Sequence, residues 1–189
     1  LAFLAKFAGA VSPGFDPERD LQRVGLANQT TMLMSESLAI GELIRQAMVD
    51  RYGADDSELA FHYRAFDTIC SATQDRQDAV RGLIDRQDLD LMIVIGGYNS
   101  SNTRNLARLA GKHIPTYHIA DATCLVSHRK IRHHPVDHTH VAPSAAAETV
   151  TRNWLPSPQL IRLGLTAGAS TPDSVVGRVI ERLELLAAK

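Results

Sequence analysis

Residues 91–95 read Leu-Met-Ile-Val-Ile, five apolar side chains without a polar break, followed at once by Gly96 and Gly97. Successive strand residues point to opposite faces, so a run that does not alternate is buried on both, as in the middle of a parallel sheet covered by helices. Five residues are too few to cross a bilayer. The surroundings agree with a buried strand. An amphipathic helix is expected over 74–86, with Ala79, Val80, Leu83 and Ile84 on one side. Another is expected from Ser100 to Gly111, with Leu106 and Leu109 inward. IPTYHIA (114–120) and QLIRLGLT (159–166) read as further strands, and 172–187 as a closing helix with an inner stripe of Val175, Val176, Val179, Ile180, Leu183 and Leu186. Strand and helix alternate, so the class is α/β, with mostly parallel sheets and flanking helices.

Upstream, residues 1–9 read as the end of a helix, VSPGFDPERD (11–20) as a loop and 22–27 as a short strand. Leu38, Ile40, Leu43, Ile44 and Met48 carry a helical pattern that ends near Gly53. GADDSEL (53–59) is a surface connection and the best boundary, and FHYRAFDTIC (61–70) is strand-like. Residues 120–158 are expected to be irregular, with one helix around 144–152. The expected division is 1–60, the C-terminal part of an incomplete α/β domain, and 61–189, about the length of one small doubly wound domain.

Composition narrows the function. Lys plus Arg total 20 and Asp plus Glu 21, for a net charge of −1, so no broad basic field for nucleic acid or an anionic membrane is expected. Two cysteines cannot build a disulfide framework for 189 residues, and reduced thiols in a cytoplasmic setting are the expectation. The apolar start LAFLAKFAGAV has no basic leader and is not read as a signal peptide. The chain begins at Leu1, which makes a fragment the expected reading.

Three turns share one character: ANQTT (27–31), GGYNSSNT (96–103) and TAGAST (166–171). Each stands between a strand and a helix and is rich in hydroxyl or amide side chains. The first N–H groups of a helix lack internal partners, glycine lets an anion approach the backbone, and Ser and Thr add donors. Such turns bind phosphate or carboxylate beyond the carboxyl ends of parallel strands. Ordinary helix capping uses the same residues, so both readings stand. No GxGxxG and no phosphate-loop lysine is present.

Cys70 ends FDTIC, just before a helix. A thiol there has a lowered pKa and can bind metal or act as a nucleophile; a buried structural cysteine is the equal alternative. Thr73, three residues on, could face the same cavity. Cys124 reads as a packed small side chain. His128, His133, His134, His138 and His140 form a histidine-rich stretch whose spacing allows adventitious metal binding in a solvated loop. Asp67 and Asp121 lie at strand ends, where acid chemistry and turn hydrogen bonding are both open.

At FDTICSATQDRQDAV, GGYNSSNTRNLA, PTYHIAD, NWLP and GLTAGASTPD the chain resembles the 4-hydroxy-3-methylbut-2-enyl diphosphate reductases, and its upstream part resembles the cyanobacterial and plastid form. The ordered set TIC-x-AT-x-x-RQ, GG-x-NSSNT and TAGASTPD is specific. The resemblance implies three α/β domains around a central [4Fe-4S] cluster held by three cysteines, of which Cys70 matches one. It implies diphosphate binding by Thr30, by Ser100, Ser101 and Asn102, and by Ser170, with Thr73 lining the pocket. It matches Cys124 and the histidine-rich stretch to nothing, and puts the other two cysteines and a proton-donating Glu upstream of Leu1. It implies reductive dehydroxylation to isopentenyl and dimethylallyl diphosphates, with ferredoxin or flavodoxin as electron donor, and a fragment inactive alone. Two other readings use the same residues: a phosphate-ester or nucleotide-binding α/β module without iron, and a non-enzymatic metal-binding domain built on the histidines.

Overall fold

The computed structural model describes residues 2–136, 148–156 and 160–188. The chain forms two compact units, Leu1–Gln29 with Met34–Thr68, and Thr30–Leu33 with Ile69–Lys189. The division falls at Thr68, not in the 53–59 segment, because the strand that follows that segment pairs back within the first unit.

The first unit holds α1 (Ala2–Lys6), α2 (Pro17–Asp20), β1 (Val24–Ala27), α3 (Met34–Tyr52), α4 (Asp56–His62) and β2 (Tyr63–Phe66). Two stretches expected as loop contain helix, and an Asp cap explains each. Asp16 accepts from the Glu18 N–H at 3.0 Å, with Pro17 opening α2. Asp55 accepts from Ser57 and Glu58 N–H groups at 3.0 and 3.2 Å and starts α4. β1 and β2 are parallel, with Val24 opposite Tyr63 and Ala27 opposite Phe66. Helix α3 buries Ser37 and Met48, but Leu38 and Leu43 from its expected apolar stripe are 65% and 72% exposed. A two-stranded sheet is too narrow to cover a full helical stripe.

In the second unit β3 (Leu91–Ile95) lies between β4 (Thr116–Ile119) and β8 (Leu163–Ala167), all parallel. Every β3 side chain is fully buried, as the unbroken apolar run requires. Met92 and Val94 pack with Val80 of α5 (Ser71–Asp85) and with Leu106, Ala107 and Ala110 of α6 (Ser101–Gly111). Leu91, Ile93 and Ile95 share the opposite core with Val179 of α7 (Asp173–Ala187) and with Leu125, Ile131 and Trp154. The α5 stripe differs from expectation: Ala79 is exposed, and Thr73, Gln77 and Val80 are the buried positions. In α7, Ile180 is 41% exposed and falls off the stripe.

The described residues of the 120–158 stretch, expected to be irregular, are ordered in part into sheet. They contain the antiparallel sheet β5 (Leu125–Ser127), β6 (Lys130–His133) and β7 (Thr149–Arg152), in the order β5-β6-β7. The helix expected over 144–152 is corrected for its described part: Thr149, Val150 and Thr151 are a β-branched run paired with His133, Arg132 and Ile131. The remainder of that expected helix, 144–147, lies outside the described residues. Among the described residues no helix is long and apolar enough to cross a membrane.

Two glycines are fixed by close packing. Gly96 has φ +147°, and a Cβ there would stand 2.6 Å from Thr171 Oγ1 and 2.8 Å from Thr103 Oγ1. A Cβ on Gly168 would collide with Thr103 Oγ1. Gly177 in α7 meets nothing within 4 Å. Gly168→Ala is therefore expected to lower unfolding free energy by about 2 kcal/mol through overpacking, while Gly177→Ala raises it by up to about 1 kcal/mol because alanine is the better helix former. Denaturant melting of both variants checks this; a destabilisation of equal size in the two would contradict the packing argument.

Candidate functional site

The paired carboxyl ends of β3 and β8 set the site. Ile95 lies opposite Ala167, so the turns that follow, 96–100 and 168–172, leave the same end of the sheet side by side. The Ile95 carbonyl accepts from Gly168 N–H at 2.9 Å and from the Thr171 hydroxyl at 3.2 Å. Ser100 is the N-cap of α6, its hydroxyl accepting from Thr103 N–H at 3.3 Å. Both the capping reading and the anion reading of this turn survive, because a serine that accepts through its oxygen still has its own O–H to donate.

Asn102 points more directly to a ligand. It is 4% exposed, and among the described residues neither its amide oxygen nor its amide nitrogen has a hydrogen-bond partner. A buried amide left unpaired on both ends costs free energy unless something else fills the role. The Ser101 hydroxyl accepts from the Arg104 guanidinium at 3.2 Å. Ser170 is exposed in the neighbouring turn. The expected residues Ser100, Ser101, Asn102 and Ser170 thus come from two adjacent turns at one sheet end.

A second cluster surrounds the thiol. Cys70 is the N-cap residue of α5, free, exposed and not used as a side-chain cap. Its sulfur lies 3.0 Å from Thr73 Oγ1 and 3.9 Å from the Thr30 carbonyl oxygen. The Thr73 hydroxyl, joined by the Thr73 N–H, holds the thiol below its ordinary pKa. Cys70 is therefore not the buried structural cysteine that the sequence also allowed. Thr73 itself is 1% exposed.

The short segment Thr30–Leu33 connects the two clusters. The Gln77 amide of α5 donates to the Met32 carbonyl at 2.9 Å, and the Asn105 amide of α6 donates to the Thr31 carbonyl at 2.6 Å. Both helices hold this segment through side chains near their N-terminal halves. Gln77 and Asn105 escaped the sequence reading; the one available signal was a glutamine on an otherwise apolar stripe.

The remaining candidates separate from this site. Asp121 spends its carboxylate on the Thr123 hydroxyl and N–H, both at 2.7 Å, which keeps its pKa low. Asp67 belongs to the first unit, where it lines a cleft with Tyr63 and Phe66. Cys124 is buried against Tyr98 and Glu148, at 3.5 and 3.7 Å. His133 Nε2 meets the Thr151 hydroxyl at 2.8 Å, and His134 Nδ1 donates to the Pro135 carbonyl at 2.9 Å. His138 and His140 lie outside the described residues. Among the described residues no group of three or more His, Cys, Asp or Glu side chains could hold a metal ion. An iron–sulfur group would therefore draw on Cys70 as a single soft donor from the described part of this chain.

Comparison with known proteins converges on one family. The model of the family described as LytB protein matches residues 8–184. A 4-hydroxy-3-methylbut-2-enyl diphosphate reductase from Thermosynechococcus vestitus is 51% identical over 183 residues, covering 96% of this chain and 42% of the relative. One of the same name from a Nostoc species is 48% identical over 187 residues, covering 98% of this chain and 44% of the relative. The chain thus spans about two fifths of the length of these relatives. Among solved structures, the E-1-hydroxy-2-methyl-but-2-enyl-4-diphosphate reductase from Plasmodium falciparum aligns with a TM-score of 0.50 at 20% identity, over 84% of this chain and 38% of that one, a likeness of fold.

Proposed function

The chain belongs to the LytB protein family, and from that membership we propose that it is the diphosphate-binding, single-thiolate part of a 4-hydroxy-3-methylbut-2-enyl diphosphate reductase. The proposed reaction of the whole protein is a reductive dehydroxylation. Two electrons and two protons enter, the allylic C–O bond breaks, the hydroxyl leaves as water, and isopentenyl and dimethylallyl diphosphates form. A small iron–sulfur or flavin electron carrier, ferredoxin or flavodoxin, is the proposed electron source. Free thiols at Cys70 and Cys124 suit a reducing, cytoplasmic setting.

The observation that carries the reading is the buried amide of Asn102 in the first turn of α6, which has no hydrogen-bond partner among the described residues. A diphosphate offers acceptor oxygens to its N–H₂, to the hydroxyls of Ser100, Ser101 and Ser170, and to the first N–H groups of α6. Thr73 stands beside the thiol and would face the allyl end of the substrate, while Thr30, whose carbonyl oxygen lies 3.9 Å from the Cys70 sulfur, is the further residue proposed to hold the diphosphate. Binding the diphosphate remote from the reacting carbon orients that carbon without taking part in the chemistry.

Cys70 fits a [4Fe-4S] cluster as one of its ligands. It is a free, exposed thiol with a lowered pKa at a helix N-terminus, and soft thiolate sulfur is the donor such iron takes. Cys124 does not fit, being enclosed by Tyr98 and Glu148. When bound, the cluster supplies electrons and a Lewis-acidic iron. The chain's own contribution is to hold that iron through sulfur and to fix the diphosphate.

Ser170→Ala in the full-length protein is expected to raise KM about tenfold with kcat changed little, since a hydrogen bond to a charged group present in ground and transition states alike is lost. Steady-state kinetics checks this, and unchanged KM and kcat would remove Ser170 from the site. Full-length protein that binds diphosphate but stays colourless when purified without oxygen would instead favour an iron-free phosphate-binding module.

A further inference from the structure

The anion-binding turn 96–100 is held from behind by a polar network that uses none of the residues assigned to the diphosphate. Tyr98 stands two residues before Ser100 in this turn. Its hydroxyl donates to Glu148 Oε1 at 2.7 Å and accepts from the Ala120 N–H at 3.3 Å. Its ring packs edge-on against His118, with centroids 5.1 Å apart, and lies 5.2 Å from His134. Glu148 immediately precedes β7, and its carboxylate also pairs with Arg132 of β6 at 3.3 Å. Arg132 continues to the Thr123 hydroxyl at 3.2 Å, which donates to Asp121. A second tie reaches the same turn at its start, where His118 Nε2 donates to the Gly96 carbonyl at 3.0 Å.

Backbone bonds fix only the ends of this turn, Gly96 N–H to the Ile119 carbonyl at 2.9 Å and Ser100 N–H to the Gly97 carbonyl at 3.0 Å, and its Gly97 is exposed. A loop of that kind samples many conformations unless side chains restrain it. The restraint here comes from the antiparallel sheet β5-β6-β7, an element the sequence reading missed. The Tyr98 hydroxyl reaches Glu148, which immediately precedes β7 of that sheet.

We propose that Tyr98 and Glu148 form a positioning pair, in which the Tyr98 hydroxyl docked on Glu148 holds the 96–100 turn in the shape that receives a diphosphate. The proposal rests on the diphosphate reading of the turn and deepens it. Neither residue touches the ligand; both act through the backbone that presents Ser100, Ser101 and Asn102. Ordering the turn before binding removes an entropy cost from association, so loss of the pair weakens binding without removing a contact.

The experiment measures binding of inorganic pyrophosphate to the full-length protein by calorimetry. Tyr98→Phe and Glu148→Ala are each expected to raise Kd about fivefold, one hydrogen bond's worth. The double variant is expected to show the same fivefold rise rather than the product of the two, because the pair acts as a unit. Glu148→Gln keeps an acceptor oxygen and is expected to restore binding to within about twofold of wild type. Glu148 is partly exposed, so its variants test the idea even where Tyr98→Phe folds poorly. Wild-type binding matched by both single variants overturns the proposal, as does a double variant whose losses multiply. Wild-type protein that fails to bind pyrophosphate at all overturns the diphosphate reading on which it stands.

Discussion

On the proposed function, full-length protein carrying Cys70→Ser is expected to lose nearly all of its bound iron and its reductase turnover. Serine keeps the shape of the side chain but offers a hard, protonated oxygen where iron–sulfur centres take thiolate. Cys70 is suited to that task by its position. Its sulfur is exposed at the start of α5, and the Thr73 hydroxyl at 3.0 Å favours the ionised form. Cys124→Ser serves as the contrast and is expected to keep wild-type iron, since that thiol is 1% exposed among Tyr98 and Glu148. Iron-to-protein ratio and visible absorption after anaerobic purification read the outcome directly, independent of turnover. A Cys70→Ser protein with the iron content of wild type would end the assignment.

The second large effect is on stability in acid. His118 is 1% exposed, and burial outweighs its Nε2–H bond to the Gly96 carbonyl, which by itself favours the charged ring. Burial pushes its pKa down from 6.5 to about 4. The unfolded chain takes up a proton near pH 6.5 and the folded one only near pH 4. Above pH 6.5 the residue has no effect on the balance. As pH falls from 6.5 to 4 the unfolded state gains protons that the native state refuses, and stability drops by about 3 kcal/mol. Below pH 4 both states are protonated and the slope ends. His133 is shifted in the same direction, again by burial, and adds to the loss. His118→Gln keeps a donor for Gly96 at the position of Nε2 but cannot titrate, so its stability is expected to fall much less between pH 7 and 4. Urea midpoints across that range decide the matter; parallel curves for the two proteins would show that His118 does not control the acid limb.

Periodicity made the central sheet legible. The unbroken run 91–95 could only be a strand covered on both faces, and the flanking helices carry apolar stripes that α5 and α7 keep only in part. The same rule failed where tertiary context overrode it. Thr149–Arg152 lies close to an alanine-rich stretch that reads as helix, yet it pairs with β6, a partner no local pattern announces. Asp16 and Asp55 start helices inside segments whose composition reads as loop. The serine turns were visible because hydroxyl-rich stretches recurred at strand ends. Their convergence was not, since it depends on β8 pairing with β3 across more than sixty intervening residues. Tyr98, Thr103 and His118 escaped notice for a related reason: each acts through a long-range contact, and an isolated Tyr, Thr or His carries no spacing signal.

One consequence follows from the shared Ile95 carbonyl, which takes both the Gly168 N–H and the Thr171 hydroxyl. With Thr103 filling the space between the two glycines, the loops after β3 and β8 are tied to each other where they leave the sheet. If these loops hold the proposed diphosphate, the pairing of β3 with β8 sets the spacing of its two grips before any ligand arrives.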